Sequence, residues 1–225
     1  MLEDKINSLK RELMEYAGLV ESMVEKAIRG LLQKQRELLT QVIEEDEPKA
    51  NDREIQLDEL CISLIAQYQP EAKNLRTILM ILRMNNDLER MADHAVNISQ
   101  AGLFLIERPP VKPWLDIPRM ADVTVKMVKD SVTAFIDEDP ELAKKVCERD
   151  STVDALRDQV LRELITFMTS DPATIERSLQ VMRASTNLER IADLSTNICE
   201  DVIFMTQGKV IKHHKGEPRE ASGQR

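Results

Sequence analysis

Apolar residues recur at intervals of three and four along most of the chain. Met120, Val123, Met127, Val128, Val132 and Phe135 form one such seam, and Val153, Leu156, Val160, Leu164 and Phe167 form another. This spacing is that of helices burying one face at 3.6 residues per turn. Val181, Ala184, Leu188, Ile191, Ser195, Ile198, Val202 and Met205 repeat on a heptad and predict a helix over about 173–206. Proline marks the breaks. Asp139-Pro140-Glu141 and Asp171-Pro172-Ala173 each set an N-cap residue before a proline suited to the first helical position. Gln69-Pro70-Glu71 is a weaker version of the same signal.

One connection is long and non-helical in pattern. Pro109, Pro110, Pro113 and Pro118 fall within ERPPVKPWLDIPR, near the middle of the chain. This predicts a first helical bundle over 1–108, a Pro-rich linker over 109–118 and a second bundle over 119–207. The polar segment 208–225, GKVIKHHKGEPREASGQR, loses its periodicity and is expected to be disordered.

The two halves resemble each other. Residues 85–100 and 185–200 share seven of sixteen positions, Leu, Glu, Arg, Ala, Asp, Asn and Ile. About one identity is expected by chance. AFIDEDPELAKKVCERD (134–150) matches GLLQKQRELLTQVIEED (30–46) more loosely, and LITFMTSDP (164–172) matches SLIAQYQP (63–70). The repeat unit is therefore about 100 residues, a supersecondary block rather than a short solenoid repeat. Residues 2–45 alone read as one helix about 65 Å long. The second half, however, breaks at Asp137-Glu138-Asp139-Pro140, so a bend is expected near Gln33–Arg36, close to Gly30. Each half becomes a long helix, a short continuation, a second helix and a third long helix. The fold class is all-α, with two tandem three-helix bundles, six main helices and internal pseudo-symmetry.

Composition agrees and removes some functions. Aromatic residues make up 3% of the 225, and six Gly with nine Pro are few for a β protein. A net charge of −9 argues against general nucleic-acid binding. No apolar run reaches the length of a membrane span, and the charged start MLEDKINSLKREL lacks the core of a signal peptide. A cytoplasmic location is expected. Cys61, Cys147 and Cys199 are odd in number, contain no CxxC and lie in apolar helical contexts, as buried thiols in a reducing compartment do.

ERMADHAVN (89–97) and ERIADLSTN (189–197) carry the clearest chemical signal. Each stacks Glu, Asp and Asn at i, i+4 and i+8 in one column: Glu89, Asp93 and Asn97, then Glu189, Asp193 and Asn197. The second column lies nearly opposite the apolar seam, where a solvated face is the default. Two observations weigh against that default. Leu75, Leu79 and Leu82 precede the first column at the same azimuth and Phe104 follows. Ile175, Leu179 and Met182 precede the second, and Phe204 follows. Like charges at i, i+4 also cost an isolated helix about 0.2–0.5 kcal/mol. Arg90 and Arg190 stand to the side and could offset some of that charge.

Asp150 and Asp154 lead into the second helix of the second half, and Asp46 answers Asp150. Residues 46–52 carry an extra residue, so either Asn51 or Asp52 could answer Asp154. If these converge on the columns, the carboxylates must be protonated, paired with Arg or Lys, or neutralised by a cation. Such oxygen donors suit Fe, Mn, Mg or Ca. A di-iron oxidase would need Glu-x-x-His on two helices, and neither copy has it. His94 has Leu194 as its counterpart in the repeat and reads as an incidental surface or edge residue. His213 and His214 fall in the tail and read as solvated. No phosphate loop, nucleophile elbow or CxxC is present, so no enzymatic activity is expected.

LERMADHAVNI and LERIADLSTNI, with VIEED and VCERDSTVD at these spacings, resemble the PhoU family of phosphate-signalling proteins over about residues 5–207. The resemblance implies a cytoplasmic, all-helical, non-enzymatic protein, often a homodimer. It implies an accessory regulator joining the ATPase subunit of a phosphate ABC transporter to a membrane sensor histidine kinase. That regulator keeps the starvation response off when phosphate is plentiful. It also implies Fe or another divalent cation on carboxylate clusters. Carried onto this chain, the metal candidates are Glu89, Asp93, Glu189, Asp193, Asp150 and Asp154, with Asp46 and Asp52 weaker and Asn97 and Asn197 extending the columns. The irregularity at 46–52 makes the second-half cluster the better expected site. The alternative is a carboxylate-bridged metal-binding protein, or a ferritin-like metal oxidase or store.

Overall fold

In the computed structural model, which describes residues 2–207, every long element is a helix. Helix α1 (Leu2–Gln33) is followed by α2 (Arg36–Gln41), a π turn (Val42–Asp46) and α3 (Glu47–Tyr68), which run on without a break. Then come α4 (Ala72–Ile106), α5 (Asp116–Ile136), α6 (Pro140–Ser170), a 3-10 turn (Pro172–Thr174) and α7 (Ile175–Gln207). The expected tail, 208–225, lies outside the described residues. No helix among the described residues is long and apolar enough to cross a membrane.

The expected break after α1 is present, and the repeat builds it twice in the same way. Lys34 and Glu138 both adopt a left-handed conformation, with φ of 54° and 51°. The next residue then donates its N–H five residues back, Gln35 to Gly30 O and Asp139 to Ala134 O, each at 2.9 Å. This is how helices commonly end, although glycine usually occupies the left-handed position. Asp139 then caps α6, accepting from Glu141 N and Leu142 N. In the first half the short α2 fits against α1 and α4 through Leu39. A Cβ on Gly30 would meet Leu39 Cδ2 at 2.6 Å, and one on Gly102 would meet its Cδ1 at 3.0 Å. These two glycines admit the close approach.

Two details differ from the sequence reading. Helix α6 is continuous from Pro140, so Asp150 and Asp154 lie mid-helix rather than leading into one. The linker ends at Leu115, and Pro118 sits in the first turn of α5, where its missing N–H costs nothing. The linker is also pinned. Lys112, nearly buried, pairs with Asp116 at 2.9 Å and with Glu163, and Arg177 donates to Pro109 O at 2.9 Å.

The halves share one continuous apolar core, with α4 packed on α7 and α1 on α5. Helices α4 and α7 run antiparallel. Arg83 pairs with Asp201 at 3.2 Å, His94 bonds Asn187 at 2.8 Å, and Arg183 donates to Asn97 at 2.6 Å.

Candidate functional site

The extra residue foreseen near 46–52 is absorbed by the π turn Val42–Asp46, the usual form of a one-residue insertion in a helix and one often found at functional sites. Before the turn, Leu39 and Val42 take the buried places of Ala143 and Val146. After it the register has moved by one, and Ala50, Leu57 and Cys61 take the places of Val153, Val160 and Leu164. Asn51 therefore answers Asp154, and Glu54 answers Arg157. Asp52 is exposed and falls outside that correspondence.

In the second half, α7 points Glu189 towards α6. It is 7% exposed. Arg157 Nη2 stands 3.5 Å from its Oε1 and Arg190 Nε 3.5 Å from its Oε2, yet that Oε2 accepts no hydrogen bond. Arg190 also donates to Asp193 at 3.2 Å. Burial first, then the Asp193 and Asp154 carboxylates, push Glu189 above the ordinary carboxylate range against the pull of Arg190 and Arg157. Burial pushes Asp193 the same way, with Arg190 opposing and Asp154 adding. The guanidinium groups act as counter-ions built into this half.

The first half reverses the sign at the facing position. Glu54 occupies the place of Arg157, and its charge adds to burial and to Asp93 in raising Glu89, with only Arg90 opposing. Tyr16, fully buried on α1, lies in the field of Glu89, Glu54 and Asp93. Burial and those carboxylates raise its phenol well above the usual range, and its hydroxyl finds no hydrogen-bond partner. Asn85, one turn before Glu89, donates to Glu54 O at 2.8 Å and to Asp58 Oδ1 at 2.9 Å, and its own Oδ1 is buried without a partner. The sequence reading missed Tyr16, Glu54 and Asn85. The available signal was a phenol in the otherwise aliphatic seam Leu9, Leu13, Tyr16, Val20.

The remaining candidates scatter. Asp46 is buried and pairs with Lys26 at 2.7 Å and Lys49 at 3.8 Å. The second half makes the same tie between its first two helices with the charges exchanged, Arg149 to Asp130 at 2.5 Å. Asp150 is half-buried. Asn97 is held by Arg183 across the α4–α7 packing, while Asp93 and Asn197 are exposed. His94 is not an edge residue. It is half-buried, and its Nδ1 meets Asn187 of the other half. Among the described residues, no group of three His, Cys, Asp or Glu side chains is placed to hold one metal ion. In kind, the first-half donors fit a hard cation: Glu89, raised by burial and by the Asp93 and Glu54 charges, and a buried phenol without a partner. The second-half donors fit one less well, because Arg157 and Arg190 already supply the positive charge.

The apolar stripes running through the columns are partly open: Leu82, Phe104 and Met182 pack against the core, while Leu79, Ile175, Leu179 and Phe204 are each 43–50% exposed, an arrangement suited to contact with another protein surface.

The family model described as the PhoU domain matches residues 3–101 and 117–202. The phosphate-specific transport system accessory protein PhoU homolog of Aquifex aeolicus (strain VF5) is 39% identical over 217 residues, covering 95% of this chain and 98% of that protein. Homolog 2 of Thermotoga maritima is 32% identical, covering 96% and 92%. The crystal structure of PhoU from Pseudomonas aeruginosa superposes with a TM-score of 0.89 at 33% identity, covering 93% of this chain and all of that one.

Proposed function

Because the chain belongs to the PhoU family, we propose that it is an accessory regulator of a phosphate transport system. It acts in the cytoplasm as a non-enzymatic adaptor, often as a homodimer. It joins the ATPase subunit of the phosphate ABC transporter to a sensor histidine kinase and holds the starvation response off at high phosphate. The observation that carries the adaptor reading is the exposed apolar face of Ile175, Leu179 and Phe204 on α7, with Leu79 on α4 as its exposed counterpart in the first half.

Deleting the gene in its host should derepress alkaline phosphatase at high phosphate. Replacing Leu79, or Leu179 with Phe204, by Ser should do the same while each variant keeps full helicity. Unchanged repression in the deletion strain would sink the proposal.

In the same reading, a hard divalent cation such as Fe draws the first-half carboxylates Glu89, Asp93 and Glu54, which are not grouped around one point in this structure, onto itself. It would supply the positive charge that Arg157 supplies in the second half. Support comes from the acidic residue at the Arg157 position and from the partnerless Tyr16 hydroxyl. Protein purified from the host should lose bound metal on Glu89→Gln with Asp93→Asn and keep it on Glu189→Gln. Sustained oxidation of ferrous iron at many equivalents would point instead to a ferritin-like store.

A further inference from the structure

The arginines of the repeated motifs stand on the side of each column that faces the other half. On α4, His94 meets Asn187 of α7 and lies about 40° round the helix from Arg90, whereas Asp93 lies about 60° away on the opposite side. Arg190 stands in the same way between Asn187 and Asp193. Seven residues earlier the repeat holds a further pair, Arg83 and Arg183, within about 20° of Arg90 and Arg190. Both of these reach across the α4–α7 seam. Arg83 pairs with Asp201 at 3.2 Å, and Arg183 donates to Asn97 at 2.6 Å and to Gln100 at 3.1 Å. The four guanidinium groups therefore form one row along the seam, about 25 Å from Arg83 to the place where Arg183 meets Gln100.

Charge in this row is layered. The side chains of Arg83, Arg90 and Arg190 are 54–61% exposed, while their neighbours Asp201, Asp87 and Glu189 are only 9–15% exposed. Arg183 is also exposed, and Asn97 and Gln100 are neutral. Asp93 and Asp193 border the row on its outer sides. The outermost charge along the seam is thus cationic, on a chain whose net charge is −9. Apolar residues close both ends. Leu79 lies four residues before Arg83 and Phe204 three after Asp201, so the register sets them level at one end. Leu179 lies four before Arg183 and Phe104 four after Gln100, level at the other. The two ends are about 37 Å apart along α4.

We propose that this row is the docking site for an acidic protein surface, one with carboxylates along the seam and apolar residues at each end. The proposal rests on the adaptor reading above and gives its partner a chemistry. Exposed guanidinium groups pair with carboxylates two bonds at a time and are common anchors of protein interfaces. An acidic partner is repelled by the rest of a chain of net charge −9, so the row sets orientation as well as affinity. A second copy of this face would set arginine against arginine.

The test measures binding of the full chain to the detergent-solubilised phosphate transporter and to the full-length sensor kinase. Wild type should bind one of them, more weakly as salt rises. Arg90→Glu with Arg190→Glu should weaken that binding at least about tenfold. Arg90→Gln with Arg190→Gln, which keeps the bulk of the side chains, should weaken it by a smaller factor. Lys126→Glu with Lys129→Glu makes the same change in net charge in the groove between α1 and α5, and should leave binding within about twofold. All three variants should keep full helicity. Binding unchanged in both arginine variants would overturn the proposal and leave the adaptor reading intact, as would an equal loss in the lysine variant. Failure of wild type to bind either protein would remove the adaptor reading and this proposal with it. Arginine-dependent cosedimentation with phosphatidylglycerol vesicles, without arginine-dependent binding to either protein, would assign the row to a membrane surface and overturn the proposal as well.

Discussion

Arg157 Nη2 stands 3.5 Å from Glu189 Oε1, and the first half fills the same position with Glu54, whose charge bears on Glu89. The duplicated columns are thus electrostatically opposite at their buried end. The second carries a counter-ion there, Arg157, and the first has only Arg90, the match of Arg190. Removing the guanidinium should leave a nearly buried carboxylate uncompensated, a loss of roughly 1–3 kcal/mol. Arg157→Ala should lower the urea midpoint accordingly, and Arg157→Ala with Glu189→Gln should recover part of it. Additive effects in that cycle would mean the two side chains are not coupled.

Glu89 gives the complementary case. Its folded-state pKa is raised by burial, then by Asp93 and Glu54. A raised carboxyl binds its proton more tightly in the folded state. Stability is therefore complete below the unfolded value of about 4.3 and is lost as pH rises through the folded value. Glu89→Gln should match wild type near pH 4 and exceed it at pH 7, in metal-free protein, by on the order of 0.5 kcal/mol. Urea titrations at the two pH values measure this, and a penalty at pH 7 would show that Arg90 dominates instead.

The third helix of each half was legible because a strict repeat and a two-sided azimuth are both periodic signals. The break at Lys34 was legible only through its partner at Glu138, since Lys34 has no propensity for a left-handed turn. Glu54 and Tyr16 were not legible, for separate reasons. The π turn shifts α3 by one residue, so only the buried pattern Ala50, Leu57, Cys61 reveals that Glu54 faces Glu89. Tyr16 reaches the site from α1, a contact across the bundle that no local spacing encodes. His94 was misjudged because its repeat partner is Leu194, while its contact is Asn187, whose equivalent Asp87 plays a different part.

Asp46 and Asp52 should separate cleanly by substitution. Asp46 is 2% exposed and bonds Lys26 at 2.7 Å, so its truncation leaves a part-buried ammonium without its closest partner. Asp46→Ala should cost about 1–3 kcal/mol. Asp52 is exposed, and Asp52→Asn should stay within about 0.5 kcal/mol. Thermal melts of the two variants decide the matter, and a large effect at Asp52 would restore it to the buried cluster.

His94 should make the contact between the halves sensitive to pH. Asn187 Nδ2 donates to Arg183 O at 2.7 Å, which turns its Oδ1 to His94, so the imidazole donates from Nδ1. Burial lowers the His94 pKa, and Arg90 and Arg190 add to that, while the Asn187 bond and Asp93 oppose it. A depressed histidine contributes stability that is full above its unfolded value of about 6.5 and is lost as pH falls through the folded one. Wild type should therefore lose stability between pH 7.5 and 5.5, in buffers spanning about one unit either side of 6.5, where His94→Gln does not. Because the ring is only half-buried, the difference should be a few tenths of a kcal/mol. Amide exchange in α4 and α7 should rise over the same interval in wild type alone. Equal pH dependence in the two proteins would place the titrating group elsewhere.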